Sequence, residues 1–188
     1  MLIAKTFGRV RLCVVLAVLG VFLTGGFQRA YARDDTPGEY QVKAAFIYNF
    51  SKFVEWPDRA FLAPADPVVI GVLGHDPFGS ALDLLEGKTV KGRNITVRRI
   101  ADIHHVGVCQ ILFISQSENE HLDEIMTEIN NTPILLIGDT EPFLQHGGMI
   151  NFIAEGNRVG FEINNSAARR VGLRISSQLL KLAKRVVN

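Results

Sequence analysis

The residues best suited to chemistry lie in a glycine-rich turn that contains His75 and Asp76. The run from Gly71 to Gly79 follows an apolar segment and precedes a helical pattern, as at the carboxyl end of a buried strand, where α/β domains bind ligands. Free amides at the helix start could hold an anion, although the spacing matches neither a dinucleotide fingerprint nor a Walker A loop. Helix capping by Asp76 and a first-turn role for Pro77 explain the pattern equally well. Two interpretations therefore remain, ordinary turn chemistry or a ligand-binding edge formed by Gly74, His75, Asp76 and Gly79.

The histidines and serines give no pattern typical of a metal site or a hydrolase. No two histidines form a His-x-x-x-His pair, and no serine lies in a Gly-x-Ser-x-Gly elbow. We therefore expect no metal, no cofactor and no enzymatic activity. The histidines, which we expect in solvated loops, are His75, His104, His105, His121 and His146.

Two other features are more typical of surfaces that bind partners. Tyr48 and Trp56 belong to an aromatic series but fall outside the stripe of the first helix, so part of their area can remain exposed. Residues 163–188 contain six basic residues and no acid, which favours an anionic partner or a membrane surface. Burial of all these aromatics in the core is the alternative. The predicted partner interface consists of Tyr48, Trp56, Arg169, Arg170 and Arg174.

Apolar periodicity predicts the elements that position these residues. Buried strands alternating with helices indicate βαβ units, so we expect one α/β domain with three layers: a mostly parallel central sheet and helices on both of its faces. An antiparallel hairpin is expected before the last helix. The predicted helices span residues 39–56, 117–129 and 165–186, with a short one ending at 85. The predicted strands span residues 68–73, 94–100, 111–115, 133–138, 149–154 and 158–164.

The first 32 residues predict export. A basic segment is followed by the apolar run Leu12–Leu23, which is too short to cross a hydrocarbon core of about 30 Å, and then by the small-x-small sequence Ala30-Tyr31-Ala32. Cleavage after Ala32 would leave a domain of residues 33–188 in the periplasm, with 16 basic and 19 acidic residues. That net negative charge does not suggest a nucleic-acid partner. Cys109 would be its one cysteine, expected to be a buried and inert thiol.

Several segments together resemble the YfiR family of exported α/β proteins. The segment KAAFIYNFSKFVEWP at residues 43–57 resembles the family's opening signature. The similarity continues through residues 70–74, 77–79, 112–115, 147–152 and 161–164, and it ends at residues 173–180.

The resemblance implies a periplasmic repressor that binds the periplasmic domain of an inner-membrane diguanylate cyclase. It would thereby limit cyclic di-GMP and biofilm formation, and an outer-membrane lipoprotein could sequester it. The chain departs from the family's disulfide-paired member because Cys109 has no partner. The alternative is a small-ligand-binding module that serves a transporter or a sensor kinase. The sequence leaves open whether the protein forms a homodimer.

Overall fold

The computed structural model describes residues 38–188. The predicted signal peptide, residues 1–32, and the first residues of the predicted mature domain lie outside these described residues. The helices are α1 (Glu39–Phe53), α2 (Ser80–Asp83), α3 (Leu122–Glu128), α4 (Asn165–Arg170) and α5 (Ser177–Leu182). The strands are β1 (Val54–Glu55), β2 (Val68–Leu73), β3 (Thr89–Val90), β4 (Arg93–Ile100), β5 (Ile111–Ile114), β6 (Leu135–Gly138), β7 (Ile150–Glu155), β8 (Arg158–Asn164), β9 (Arg174–Ile175) and β10 (Val186–Val187).

Eight of these strands form one sheet in the order β10-β8-β7-β6-β5-β2-β4-β3. The five consecutive strands β7, β6, β5, β2 and β4 run parallel to one another, whereas β7 and β8 form the predicted antiparallel hairpin. Every residue of β2 is buried, as expected for a parallel strand that is covered on both faces. The separate pair β1 and β9 is antiparallel and lies outside the main sheet.

Helices cover both faces of the sheet, which confirms the predicted three-layer α/β fold. On one face, Phe50 of α1 stacks on Phe152 of β7 with ring centroids 5.8 Å apart. On the other face, α3 and α4 approach the sheet around Leu136, where they border a cleft. Within residues 38–188, none of the helices combines the length and the hydrophobicity needed to traverse a bilayer.

The first helix differs from its prediction in length and in its buried face. It ends at Phe53 rather than at Trp56, because the backbone of Val54 and Glu55 pairs with Ile175 and Arg174. Ile47 and Phe50 are fully buried, whereas Val42, Phe46 and Phe53 of the predicted stripe are only partly buried.

The predicted final helix, residues 165–186, is wrong as one continuous element. The chain instead forms α4, β9, α5 and β10 in succession. Gly172 ends the first helical segment with a positive φ of 86°, a conformation that glycine adopts without steric cost. The Ser176 side chain then accepts a hydrogen bond of 3.2 Å from the amide of Leu179, and this cap starts α5.

Candidate functional site

A cleft of about 410 Å³ opens beside the β1–β9 pair and contains Trp56, so we call it the Trp56 cleft. It joins the end of α1 to the edge of the sheet near β3 and β4. Its walls combine aromatic, aliphatic and charged side chains, a mixture that is typical of protein-binding surfaces. The lining residues are Ser51, Glu55, Trp56, Phe61, Val68, Val90, Lys91, Arg93 and Arg174.

Gln110 fixes the position of the Trp56 indole. Trp56 Nε1 donates a hydrogen bond of 3.0 Å to the backbone carbonyl of Gln110. The Gln110 side chain in turn donates to the carbonyl of Ala60 at 2.7 Å and accepts from the amide of Val69 at 2.8 Å. The loop that follows Trp56 is therefore tied to the start of β2 and to the residue before β5.

The cations of the Trp56 cleft are held mainly by backbone carbonyls. Lys91 Nζ donates to the carbonyl of Val54 at 2.7 Å, and Arg93 donates to the carbonyl of Asp66 at 2.6 Å while its guanidinium stacks 3.7 Å from the Phe61 ring centroid. Arg174 differs because it forms an ion pair of 3.0 Å with Glu55. Among residues 38–188, neither Lys91 nor Arg93 forms an ion pair with a carboxylate. Three cations and one carboxylate therefore give the lining a net charge of +2.

The structure brings together only part of the predicted partner interface. Trp56 and Arg174 both line the Trp56 cleft. Tyr48 lies on α1 outside that lining, where Lys52 Nζ sits 3.8 Å from its ring centroid. Arg169 and Arg170 are exposed on α4, and Arg170 lines a second cleft of about 530 Å³ between α3 and α4. The Trp56 cleft thus contains two of the five predicted residues, and the other three lie outside its lining.

The glycine-rich turn lies after β2, as predicted, and its polar groups make internal hydrogen bonds. Asp76 accepts hydrogen bonds from the amide of Phe78 at 2.7 Å and from Arg99 Nε at 2.9 Å. Arg99 also donates to the carbonyl of Gly79 at 2.9 Å, and the amide of His75 donates to Ser117 Oγ at 3.0 Å.

Gly74 in the same turn has a φ of +84°, and a Cβ at this position would collide with the side chains of Ser117 and Glu118. Gly74 and Asp76 of the predicted ligand edge thus have structural explanations, whereas the His75 side chain is exposed. Binding of a ligand there stays a prediction.

Sequence reasoning missed a buried ionic cluster at the carboxyl end of β6. Lys43 of α1, only 4 % exposed, places its Nζ 2.7 Å from Asp139 Oδ2 and 2.6 Å from Glu39 Oε1. Tyr40 donates a hydrogen bond of 2.9 Å to the same Asp139 oxygen. The sequence shows that Asp139 directly follows the buried strand β6, and this was the one signal for such a cluster. Nothing in the sequence indicated that Lys43 faces Asp139.

The environment of the cluster raises the pKa values of Lys43 and Tyr40. Burial opposes the positive charge of Lys43, but hydrogen bonds with Asp139 and Glu39 outweigh this effect and raise its pKa above the ordinary value of 10.5. Burial raises the pKa of Tyr40, and the hydrogen bond to the Asp139 carboxylate raises it further. Lys43 therefore stays protonated, and Tyr40 stays neutral, across neutral pH.

The histidines of residues 38–188 do not gather into a metal site, since no three or more His, Cys, Asp or Glu side chains converge there. Three histidines instead contact single carboxylates around α3. The pairs are His104 with Glu128 at 3.5 Å, His121 with Glu118 at 3.9 Å and His146 with Asp123 at 2.5 Å.

Comparison with known proteins gives one family and a distant structural likeness. A family model described as YfiR/HmsC-like matches residues 40–184. A solved structure, described as the ABC domain in complex with L-Trp from Streptococcus pneumonia, is similar with a TM-score of 0.52 and 10 % sequence identity. The similarity covers 79 % of this chain and 60 % of that chain. At this level of identity the likeness concerns the fold alone.

Proposed function

The chain belongs to the YfiR/HmsC-like family, and from this premise we propose that it is a non-catalytic periplasmic protein that represses a membrane-bound sensor. The sensor we propose is an inner-membrane diguanylate cyclase, whose periplasmic domain the protein binds. Repression would lower cyclic di-GMP and limit biofilm formation. An outer-membrane lipoprotein that sequesters the protein would release the cyclase.

The family match over residues 40–184 carries this proposal. The Trp56 cleft supports it, because tryptophan and arginine are the side chains most enriched where protein partners bind tightly, and both line this cleft. We propose the Trp56 cleft as the main partner surface and the exposed Arg169–Arg170 patch as a second contact.

Repression of this kind needs no chemistry in the protein. A partner that binds one conformation of the sensor more tightly shifts the population toward that conformation. The size of the shift is limited by the difference in affinity for the two conformations. The protein would act stoichiometrically, because the shift lasts only while the protein is bound to the sensor.

Affinity capture from membranes tests the proposal. Tagged protein should retain a diguanylate cyclase that mass spectrometry identifies, and cells that lack the protein should contain more cyclic di-GMP. Trp56→Ala and Arg174→Glu should each raise cyclic di-GMP, whereas Lys181→Glu, at an exposed site on α5, should not. Capture of no membrane sensor, together with unchanged cyclic di-GMP in the deletion strain, would refute the proposal.

The location has a separate test. Protein purified from the periplasm should begin at Arg33, as cleavage after Ala32 requires. An N-terminus that stays embedded in the membrane would contradict the proposed export.

The second candidate function is a small-ligand-binding module that serves a transporter or a sensor kinase. The observation in its favour is the similar fold of a domain described as being in complex with L-Trp. A ligand that binds the folded state raises the melting temperature by mass action. A panel of free amino acids at millimolar concentration should therefore stabilise the protein if this candidate is right, and capture from membranes should then yield no cyclase.

A further inference from the structure

We propose that the Trp56 cleft binds an acidic segment of the partner protein, in which a carboxylate lies next to an apolar side chain. The inference rests on the proposed function, because it names the chemistry that the partner presents to this cleft. It follows from the charges of the cleft, from its apolar walls and from its concave shape.

The charge argument concerns Lys91 and Arg93. Their hydrogen bonds to the carbonyls of Val54 and Asp66 hold the two side chains in place but leave their positive charges uncompensated. Glu55 is the only carboxylate of the lining, and Arg174 already pairs with it at 3.0 Å. Cations that are fixed in position by neutral groups favour an incoming carboxylate, because ordering them costs little additional entropy on binding.

The apolar argument concerns the uncharged part of the lining. Trp56 and Phe61, both partly buried, supply aromatic surface beside the cations, and Val68 and Val90 of the lining are buried. Leu62, which follows Phe61 in the chain, is 97 % exposed, the highest exposure among the large hydrophobic residues of the described chain. An exposed leucine next to an apolar cleft gains most from contact with another apolar side chain.

The shape of the cleft favours a protein segment over a lipid surface. A concave cleft of about 410 Å³ admits projecting side chains, whereas a bilayer surface is flat on this scale.

Trp56 provides the measurement, because it is the only tryptophan of the chain. The probes are three capped peptides, Ac-Glu-Leu-Glu-NH2, Ac-Gln-Leu-Gln-NH2 and Ac-Glu-Gly-Glu-NH2, titrated to about 10 mM while Trp56 emission is recorded. The first peptide should give a saturable change that weakens with added salt, and the other two should bind more weakly. Lys91→Gln and Arg93→Gln should each raise the Kd of the first peptide by up to about fivefold.

Two controls make the result specific. Lys181→Gln removes a cation at an exposed position of α5, outside the cleft, and should leave the Kd unchanged. Circular dichroism melting must show that each cleft variant is folded, and Lys91→Gln supplies the test if Arg93→Gln disrupts the loop around Phe61. Vesicles of phosphatidylglycerol are the fourth probe, and they should produce no change in Trp56 emission.

The outcomes separate this inference from the proposed function. Equal responses to the three peptides, or a response to vesicles alone, would overturn the acidic-segment proposal. A Lys91→Gln/Arg93→Gln variant that still captures the cyclase normally would also overturn it while leaving the proposed function standing. An acid-dependent peptide response in a protein that captures no cyclase would support the chemistry of the cleft and count against the proposed function.

Discussion

Trp56 Nε1 donates a 3.0 Å hydrogen bond to the backbone carbonyl of Gln110, and this carbonyl also accepts one of 2.8 Å from the amide of Leu135. The indole is therefore fastened to the sheet beside the starts of β5 and β6. At the same time it forms a wall of the Trp56 cleft. Trp56 is half-buried as a result, so it contributes both to packing and to the surface.

The double role of Trp56 predicts different effects for two substitutions. Trp56→Ala should lower the free energy of unfolding by about 2–3 kcal/mol, because it removes a partly buried ring and a hydrogen bond. Trp56→Phe should lower it by about 1 kcal/mol, since only the hydrogen bond and part of the ring area are lost. Urea denaturation followed by circular dichroism measures both, and an unchanged stability of Trp56→Phe would show that the indole N–H is unimportant.

The buried ion pair between Lys43 and Asp139 predicts that the stability of the fold depends strongly on the positive charge of Lys43. Lys43→Met should lower the free energy of unfolding at pH 7 by about 3–5 kcal/mol, because it leaves the Asp139 carboxylate buried without its cation. Lys52→Met on the same helix is the matched control, since Lys52 is exposed, and it should change stability by less than about 0.5 kcal/mol. Similar stabilities for the two variants would contradict this assignment.

The same pair predicts how stability responds to alkaline pH. The pKa of Lys43 is raised in the folded protein, so its contribution is complete below the ordinary value of 10.5 and is lost as pH rises through the higher folded value. The pKa of Tyr40 is also raised, and its contribution is lost in the same direction, above its ordinary value of 10.0. Wild-type stability should therefore fall steeply above about pH 10, and Lys43→Met should show a shallower fall that retains the Tyr40 part.

Cys109 is predicted to be chemically inert in the folded protein. Its thiol is a buried free cysteine, packed so closely on Gly71 that a Cβ there would lie 2.8 Å from Sγ. Burial raises the pKa of Cys109 to about 11, and nearby Arg98 offsets this only in part. A thiol reagent at pH 8 should react with the folded domain only after urea unfolds it, and dithiothreitol should leave the melting temperature unchanged. Rapid labelling of the native protein would contradict the buried placement.

The central strands could be predicted from sequence because their signal is local. The six residues of β2 are a continuous apolar run, and burial on both faces of a parallel sheet requires that composition. The hairpin of β7 and β8 could also be predicted, because its two strands flank a short turn that contains a glycine.

The errors arise where distant contacts override local pattern. The apolar spacing of residues 165–186 resembles a helix, yet Ile175 pairs with Val54 and the chain leaves the helical path to make that contact. The cluster of Lys43 and Asp139 was missed for the same reason, since a lysine on an amphipathic helix normally faces solvent. Only the packing of α1 across the end of β6 brings these two residues, 96 positions apart, within 2.7 Å.

Gly172 sits where the predicted helix breaks, and its substitution tests why the chain turns there. Gly172 has a φ of +86°, and a Cβ at this position would lie 3.3 Å from a guanidinium nitrogen of Arg59, which itself donates to the carbonyl of Val171 at 2.6 Å. Gly172→Ala should therefore lower the free energy of unfolding by about 1–2 kcal/mol, through backbone strain and displacement of Arg59.

The control is Gly107→Ala, because a Cβ there meets no atom within 4 Å and its φ is not positive. That variant should differ from the wild type by less than about 0.5 kcal/mol in urea denaturation. If Gly172→Ala is as stable as the control and gains no helix by circular dichroism, then the pairing of β9 with β1, and not the glycine, ends α4.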